Sequence, residues 1–333
     1  MDPISQGAFG ASLPQSLAKS KSKQFFVLII GWLSGMAPDL DIFIRSKEDP
    51  LLFLQFHRQF THSLIFIPIG ALLCSLVFFP FMKKYFKFKE IYLYSFLGYA
   101  THGFLDSCTS YGTQLFWPFS NHRVAWNNIS IVDPVFTLPI LFLIFLAAWK
   151  NKQVFARLAF CFSLFYLGLG AFQHYRAKKA GLELAKKRGH NPKKVTAKLS
   201  IGNIFLWKTI YLYRGRYHVD AIHNFGASKI YEGSSIQKLD LKKDFPSLKK
   251  GTVHWDDVQR FSWFSMDYVA LDPKRKNFIM DVRYSMIPNS IDPLWGIQLD
   301  LDNQNNHVKY LQTREVRSTH MAKFKKMFLK KSL

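Results

Sequence analysis

Two histidines and an arginine stand at the start of a long apolar run in the stretch FHRQFTHSLIFIPIGALLCSLVFFPF, residues 56–81. Ionisable side chains at the depth of a bilayer cost free energy and usually serve a function. His57 and His62 are of the type that binds metals, whereas Arg58 suits either a phosphate or carboxylate ligand or an anchor at headgroup level. The stretch therefore predicts a chemical site at the edge of a membrane-embedded segment.

Carboxylates and a further histidine occur where other apolar runs end. Asp39 and Asp41 are two residues apart at the end of a predicted helix, and carboxylates in such a turn can converge on a cation. His102 and Asp106 are four residues apart in a helical pattern, so they project from one helix face. The five-residue spacing of the two histidines in HRQFTH does not suit one face of a helix. They can converge if the following helix begins near Thr61.

These residues form a mixed nitrogen and oxygen ligand set. Such a set suits zinc, with manganese or iron as alternatives, better than calcium or copper(I). It exceeds what one tetrahedral site needs, so two metals, or one metal with residues that orient its ligands, are both compatible with it. A metal with an open position lowers the pKa of bound water to about 7, and a spare Asp or His can act as general base. The predicted ligands are Asp39, Asp41, His57, His62, His102 and Asp106.

The composition separates an apolar part of the chain from a basic part. Of 333 residues, 49% are hydrophobic, and the formal net charge is +23. Only 14 of the 45 Lys and Arg residues lie in residues 1–175, and 31 lie in residues 176–333. Lysines beside apolar spans contact anionic headgroups or follow the positive-inside bias. We therefore expect membrane lipids as partners, and we do not expect nucleic acid, since no reader motif accompanies the charge.

Neither cysteine chemistry nor secretion is indicated. The three cysteines have unrelated spacings, which predict neither a disulfide framework nor a metal knuckle. The first twenty residues lack a basic region followed by an apolar one, so no cleaved signal peptide is expected.

About five apolar helices are predicted in the first part of the chain, and the second and fifth are the longest. A membrane crossing needs about 20 residues, and the first run is short. Lys and Arg cluster in alternate loops, which would be cytoplasmic. Every polar cluster then falls on the opposite, non-cytoplasmic face, which favours one shared site, although the basic segment after the fifth run opposes this orientation. The runs are residues 24–38, 62–82, 90–106, 132–149 and 154–175.

The predicted architecture is a multi-spanning α-helical membrane bundle, residues 1–178, followed by a small β-rich soluble domain. Residues 179–199 are predicted as a basic helix and linker, and residues 200–333 as antiparallel strands with a basic, partly helical tail. The run VQRFSWFSMDYVALD is among the predicted strands. The histidines of this part lack ligand spacing and are predicted to be surface or packing residues; they are His218, His223, His254 and His307.

Several motifs in this order resemble the inner-membrane-associated metal-dependent hydrolases, many of whose bacterial members carry a name that mentions LexA binding. The motifs are MDPISQGAFGA, APDLD, HRQFTHS, HGFLDSCTSYGTQLFWPFS and WNNISIVDP. The resemblance covers roughly residues 1–175. It implies a multi-pass protein of the inner membrane with a metal site made of the six residues named above. It places Arg58, Ser63, Tyr111 and Asp133 nearby.

One position departs from the resemblance. Many relatives have His where this chain has Gln6. If that His is a ligand in those proteins, a reduced or altered metal site follows here.

Two functional hypotheses follow from these patterns. The first is a metal-dependent hydrolase of a lipid-like or phosphorylated ester near the headgroups. Its predicted catalytic residues are Arg58, Asp39 and Asp133, although Asp133 before a proline is most simply a helix N-cap. The second is a non-enzymatic scaffold or transporter with a structural metal. Transport predicts ionisable residues in the middle of the spans, whereas here they gather at one edge, which favours the enzyme.

Overall fold

The computed structural model of the protein describes residues 1–18, 23–314 and 318–332. The chain divides into two compact units. The first contains Met1–Phe43, Phe56–Phe172 and Ile201–Ile204. The second contains Ile44–Gln55, Gln173–Ser200 and the chain from Phe205 onward.

The first unit is helical, as predicted. A 3-10 helix, Ala37–Phe43, continues the helix that ends at Met36, and two short 3-10 turns, Phe60–His62 and Leu64–Phe66, precede the helix that begins at Ile67. The α-helices up to residue 187 have between five and thirty-five residues. They are α1 (Pro3–Leu17), α2 (Gln24–Met36), α3 (Leu52–Phe56), α4 (Ile67–Met82), α5 (Phe88–Ser107), α6 (Pro134–Lys150) and α7 (Gln153–Lys187).

Three helical segments in the described residues are long and apolar enough to cross a membrane. They are Gln24–Phe43, Leu64–Met82 and Gln153–Lys187. The helix α6 is apolar but shorter, and α5 carries Lys89 and Glu90 near its start. The structure thus supports several apolar helices, whereas the predicted count of about five spans is not confirmed.

The helix α4 has the exposure of a lipid-facing segment. Leu73, Leu76 and Val77 are 54–62% exposed although they lie in its apolar middle. A helix satisfies its own backbone hydrogen bonds, so an apolar surface of this kind is stable in hydrocarbon.

The N-terminal residues form a buried helix that the sequence patterns did not indicate. Asp2 caps α1 by accepting a hydrogen bond from the Ser5 backbone N–H at 3.0 Å, and Pro3 occupies the first helical position. Phe9 and Ala11 are buried in a core with residues of α2, α5, α6 and α7. The helix has few charges and many small residues, so it lacks the amphipathic stripe that identifies a surface helix.

Glycines bring α1, α2 and α5 into close contact. A Cβ atom on Gly10 would lie 2.7 Å from the Gly35 Cα atom, and one on Gly98 would lie 2.6 Å from the Gly31 carbonyl oxygen. Real Cβ contacts are not this short, so only glycine permits these backbone distances. Small residues commonly line the interfaces of membrane helices for this reason.

The second unit contains two antiparallel sheets, which confirms the predicted β-rich domain. The larger sheet has the strand order β1-β2-β3-β4, with β5 also paired to β3, and the smaller has the order β6-β7-β8-β9. Ile210, Val219, Phe278 and Met280, from both sheets, share one buried core. The strands are β1 (Val195–Leu199), β2 (Leu206–Tyr213), β3 (Arg216–His223), β4 (Lys229–Tyr231), β5 (Ser235–Gln237), β6 (Val269–Leu271), β7 (Phe278–Asp281), β8 (Trp295–Gln298) and β9 (Lys309–Gln312).

One prediction for this part of the chain needs correction. In the stretch predicted as a basic helix and linker, residues 179–199, α7 continues to Lys187 and β1 occupies the last five residues. The predicted strand in VQRFSWF lies in a helix, α9 (Val253–Phe264), after the short α8 (Leu241–Asp244). Thr252 caps α9, and Val258, Phe261 and Phe264 are buried at helical spacing, which overrides the strand preference of the aromatic residues. The basic tail contains α10 (Ser318–Phe328), as predicted.

Two buried lysines stand opposite each other in the larger sheet. Lys198 of β1 pairs with Lys208 of β2, and they are 3% and 4% exposed. Lys208 Nζ donates to Ser285 Oγ at 2.7 Å and to the Ser290 carbonyl oxygen at 2.8 Å. Burial lowers the pKa of Lys208 to about 7 and holds the pKa of Lys198 well below its ordinary value.

We therefore expect the stability of the protein to rise with pH above about 7. The Lys208 side chain stays protonated in the unfolded chain up to its ordinary pKa of about 10.4, but loses its proton near 7 in the folded one. In this window the unfolded chain binds more protons, so the free energy of unfolding rises by up to about 1.4 kcal/mol per pH unit for this group. The measurement is the melting temperature of the full chain in detergent at several pH values.

The contribution of Lys208 is isolated by Lys208→Met. This variant should show a smaller rise in melting temperature than the wild type between about pH 7 and pH 10. Lys323→Met, at an exposed position of α10, is the matched control and should retain the full rise. An unchanged rise in Lys208→Met would contradict the assignment.

Candidate metal centre

Four ligand atoms converge in the first unit. They belong to Asp39, His62, His102 and Asp106, and they lie within 4.8 Å of one another. The 3-10 helix after α2 supplies Asp39, the 3-10 turn before α4 supplies His62, and α5 supplies the other two. The side chains of His62, His102 and Asp106 are fully buried, whereas that of Asp39 is 25% exposed.

The distances between these atoms match those around a tetrahedral metal. His62 Nε2 lies 2.9 Å from His102 Nε2, 3.4 Å from Asp39 Oδ1 and 3.3 Å from Asp106 Oδ2. His102 Nε2 lies 3.4 Å from Asp39 Oδ1 and 3.8 Å from Asp106 Oδ2. Bonds of about 2.0–2.2 Å around tetrahedral zinc separate the ligand atoms by roughly 3.3–3.5 Å, so the five distances bracket the required value.

Hydrogen bonds direct the lone pairs of both histidines into the centre. His102 Nδ1 lies 2.6 Å from the Gly35 carbonyl oxygen, which only accepts, so this nitrogen carries the proton and Nε2 of the neutral ring is bare. His62 Nδ1 faces Thr61 Oγ1 at 3.0 Å and Asp41 Oδ2 at 3.3 Å. Since the Thr61 hydroxyl donates to Asp41, its oxygen can accept from His62 Nδ1, which leaves His62 Nε2 bare as well.

The carboxylate oxygens at the centre are buried and only partly compensated. Asp39 Oδ1 has no hydrogen-bond donor among the described residues, and Asp106 Oδ2 forms an ion pair with Arg58 Nε at 2.8 Å. Two imidazole nitrogens and two carboxylate oxygens converge here, and one guanidinium balances only one of the two carboxylates. The residues present therefore fit a divalent metal.

Asp41 was predicted as a ligand, but it is not one of the four convergent residues. It contacts the residues around them instead. Its Oδ2 accepts from the Arg58 backbone N–H at 2.9 Å and from Thr61 Oγ1 at 2.8 Å. Its Oδ1 lies 2.7 Å from His57 Nδ1. Carboxylates that hold metal-binding histidines in this way set the tautomer and the orientation of the ring.

His57, also predicted as a ligand, lies at the outer side of the centre. Its side chain is 19% exposed and hydrogen-bonds to Asp41. It shares a second possible ligand group with Asp39 and Asp41. It also packs edge-on against Tyr111, at 5.7 Å between ring centres. The helix expected to begin near Thr61 begins at Ile67 instead.

Arg58 is held against the centre by backbone and side-chain contacts. Its Nε lies 2.8 Å from Asp106 Oδ2, and its Nη1 donates to Thr109 Oγ1 at 2.9 Å. Its guanidinium carbon lies 4.8 Å from the ring centre of Tyr111. The backbone φ of Arg58 is +66°, a left-handed conformation that costs free energy for a residue with a side chain and that clusters at functional sites.

Gln6 occupies the neighbourhood of Asp106. Its Nε2 donates to Asp106 Oδ1 at 2.7 Å, and the Met1 amino group contacts the same oxygen. The departure noted at this position therefore lies directly beside a ligand of the centre. An amide here orients Asp106 rather than adding a third imidazole to those of His62 and His102.

Asp133 is not a member of any group of possible ligands among the described residues, and Ser63 follows the ligand His62 in the chain. Asp133 is the N-cap of α6, where its Oδ1 accepts from the Val135 N–H at 3.1 Å and its Oδ2 from the Tyr166 hydroxyl at 2.9 Å. Ser63 donates to the Phe60 carbonyl oxygen. These contacts give both residues structural roles. No contact in the described part of the chain supports the predicted catalytic role of Asp133.

Another possible ligand group, in the second unit, is already neutralised. Asp49, Asp257 and His307 lie together, but Arg260 Nη2 donates to Asp49 at 2.8 Å and its Nη1 to Asp257 at 3.0 Å. A guanidinium shared by both carboxylates disfavours a cation there. This ion-pair network instead anchors the segment Ile44–Gln55, which joins the two parts of the chain that carry Asp41 and His57.

Three contributions to the centre were not indicated by the sequence patterns. They are the Gly35 carbonyl that orients His102, the Thr109 hydroxyl that holds Arg58, and the burial of α1 beside Asp106. The glycines in GWLSG, four residues apart, were a usable signal for a close helix contact. A backbone carbonyl has no sequence signal of its own.

Comparisons with known proteins agree with the resemblance drawn from the motifs. A protein of Bacillus subtilis (strain 168), described as "Uncharacterized protein YfhP", is 28% identical over 124 residues, which are 37% of this chain. The matched part also spans only 37% of the length of that relative. No solved structure matches the chain.

A family model covers the whole region that contains the centre. The model is described as "YdjM inner membrane protein" and matches residues 1–177, more than half of the chain and all four convergent ligands. The chain therefore belongs to the YdjM inner membrane protein family.

Proposed function

We propose that this protein is a membrane-bound, metal-dependent hydrolase of an ester or phosphoester near the lipid headgroups. The observation that carries the proposal is the Asp41–His57 pair beside a four-ligand centre whose one accessible ligand is Asp39. A purely structural metal has no need of a partly exposed histidine oriented by a carboxylate next to it. A hydrolase does, because a proton must leave the attacking water.

In this proposal Asp39, His62, His102 and Asp106 hold the metal. Zinc suits the donor set best, with manganese or iron as alternatives, and when bound it supplies Lewis-acid activation of water. His57 accepts the proton at Nε2, because Asp41 occupies its Nδ1. Asp41 also orients His62, so one carboxylate serves both histidines.

Arg58 is placed to stabilise negative charge. It contacts Asp106 and Thr109, so its position is fixed before any substrate binds. A preorganised cation beside the reacting group lowers the energy of an anionic transition state. Asp39, named as catalytic from the sequence, acts in this proposal as the exposed metal ligand.

The membrane determines the class of substrate. Asp39 and Asp41 lie at the end of the candidate span Gln24–Phe43, and His62 lies two residues before the span Leu64–Met82. Span ends lie near the headgroups, so we propose an amphipathic or lipid-linked substrate. We further propose that the protein crosses the inner membrane several times, with the centre on the non-cytoplasmic side, because Lys residues gather in the opposite loops.

The alternative is a scaffold or transporter with a structural metal. It is favoured by the completeness of the ligand set, since structural zinc sites have four protein ligands. The two functions differ in what His57 does. In a scaffold its replacement changes little, whereas in a hydrolase it removes the base.

The test is hydrolysis of short-chain p-nitrophenyl esters and of bis(p-nitrophenyl) phosphate by the full chain in detergent, with zinc or manganese. His57→Ala should reduce the rate about 100- to 10,000-fold while metal content stays near that of the wild type. His122→Ala, at an exposed position in the same unit, is the matched control and should retain the rate. Equal rates for His57→Ala and wild type, or no hydrolysis by the metal-loaded wild type, would contradict the proposal.

A further inference from the structure

We infer that Arg58, Tyr111 and Arg123 form an anion subsite that holds a phosphate group of the substrate. This inference rests on the proposed function, since it names the charge of the substrate at the same site. It also assigns a role to Arg123. We call these three residues the arginine–tyrosine cluster.

The cluster is built around one aromatic ring. The guanidinium carbon of Arg58 lies 4.8 Å from the Tyr111 ring centre, and that of Arg123 lies 5.5 Å from it. Both arginines are only 4% exposed. Arg123 Nη2 donates to the Gly112 carbonyl oxygen at 2.8 Å, which fixes this guanidinium beside the ring. Two guanidinium groups are thus held in place before a ligand binds, which lowers the entropy cost of binding.

The cluster is continuous with the metal centre. Arg58 contacts Asp106, a ligand, while Tyr111 packs against His57, the proposed base. An anion at the cluster therefore lies next to the groups that would act on its ester bond. The partly exposed residues Tyr111, His57 and Asp39 mark the side from which it enters.

The charges favour an anion once a metal is present. The three carboxylates of the centre are Asp39, Asp41 and Asp106, and the two cationic side chains are Arg58 and Arg123. A divalent metal makes the sum of these charges positive. A buried positive excess is stabilised by an anionic ligand.

The chemistry of the donors selects phosphate. A guanidinium offers N–H donors in a planar fork that matches two phosphate oxygens at once. Two such groups can together donate to several oxygens of one phosphate, whereas a carboxylate has only two. A phosphate monoester or diester, from either a lipid headgroup or a soluble compound, is therefore the expected ligand.

The experiment measures binding of inorganic phosphate to the full chain in detergent by isothermal titration calorimetry. It is performed on metal-loaded and chelator-treated protein, so that contacts to the metal are separated from contacts to the cluster. Arg123→Gln should weaken phosphate binding to the metal-loaded protein about 10- to 100-fold, because it removes a charge-assisted donor. Chelator-treated wild type should bind phosphate more weakly than metal-loaded wild type, because the three carboxylates then outnumber the two guanidinium groups. Metal content should not change, since Arg123 is not one of the four convergent ligands.

Two further variants guard against a folding defect. Arg123→Lys keeps the charge but not the planar fork and should lose less affinity than Arg123→Gln. Arg157→Gln, at an exposed arginine of α7 in the same unit, is the control and should bind phosphate as the wild type does. If Arg123→Gln melts below the wild type, the subsite is tested by comparing the phosphate affinity of Arg123→Lys with that of Arg157→Gln.

The source of the phosphate group is identified by comparing the binding of two ligands. Tighter binding of dihexanoyl phosphatidic acid than of inorganic phosphate supports a lipid headgroup, and equal binding supports a soluble phosphate compound. Unchanged phosphate affinity in Arg123→Gln and Arg123→Lys overturns the subsite, as does no binding to the wild type. Phosphate binding without any hydrolysis would reject the proposed function and leave the subsite standing.

Discussion

Replacing His62 or His102 by alanine is expected to remove the metal from the purified protein. Each ring contributes one of the two bare nitrogens of the centre, and the remaining three ligand atoms cannot complete it. Changing a residue that only orients a ligand typically costs 10- to 100-fold in metal affinity, so loss of a ligand should cost more than about 100-fold. The measurement is elemental mass spectrometry of wild type and variants, each purified with zinc present.

The comparison with Asp41→Asn separates ligands from orienting residues. Asparagine keeps the shape of Asp41 but loses its charge, so this variant should bind zinc about 10- to 100-fold more weakly without losing it at saturation. His122→Ala should match the wild type. Stoichiometric zinc in His62→Ala and His102→Ala would show that the convergent atoms do not form a metal centre. Absence of zinc, manganese and iron from well-folded wild type would show the same.

Replacing Gly35 by alanine is expected to damage both the fold and the centre. The added Cβ atom would lie 2.8 Å from the Gly10 Cα atom and 2.9 Å from the Gln6 carbonyl oxygen, and backbone atoms cannot yield by side-chain rotation. Overpacking of this kind costs about 1–3 kcal/mol. If α1 and α2 separate, the Gly35 carbonyl moves relative to His102 Nδ1, and metal affinity falls with stability. Melting temperature and metal content, measured on the same sample, check both effects.

Gly168 provides the matched control for this substitution. It lies in α7, and a Cβ atom built there meets nothing within 4 Å. Gly168→Ala should therefore melt at or slightly above the wild-type temperature, because alanine favours a helix by about 1 kcal/mol over glycine. A Gly35→Ala protein that equals Gly168→Ala in melting temperature and metal content would contradict the proposed close contact.

Much of the organisation of this chain was predictable from residue patterns. The segregation of apolar and basic residues predicted a helical part with membrane spans followed by a β-rich part. The spacing of His102 and Asp106 predicted that they share a helix face, and the structure has them one turn apart in α5. The clustering of polar residues at the ends of apolar runs brought Asp39 and His62 into the same prediction. These features are local in the sequence, so they can be predicted from the spacing of apolar residues and from the cost of placing polar groups near apolar segments.

Other features depended on neighbours distant in the chain. The aromatic residues of α9 favour strands by composition, but capping and a buried helical stripe select the helix. The close contact of α1 with α2 depends on glycines of both helices. Local preferences of a fraction of a kcal/mol yield to such packing.

By itself, the sequence determined which side chains were available for a metal, and it predicted that they would gather at one edge of the apolar helices. Only the tertiary structure decided which of these side chains belong to the four-ligand centre and which lie outside it. Asp41 and His57 have the same chemical types as Asp39 and His62, yet hydrogen bonds place the first pair outside the centre and the second pair in it. The orientation of His102 depends on the carbonyl of Gly35, 67 residues away in the chain. Such a contact depends on backbone position rather than side-chain type, so only the folded chain reveals it.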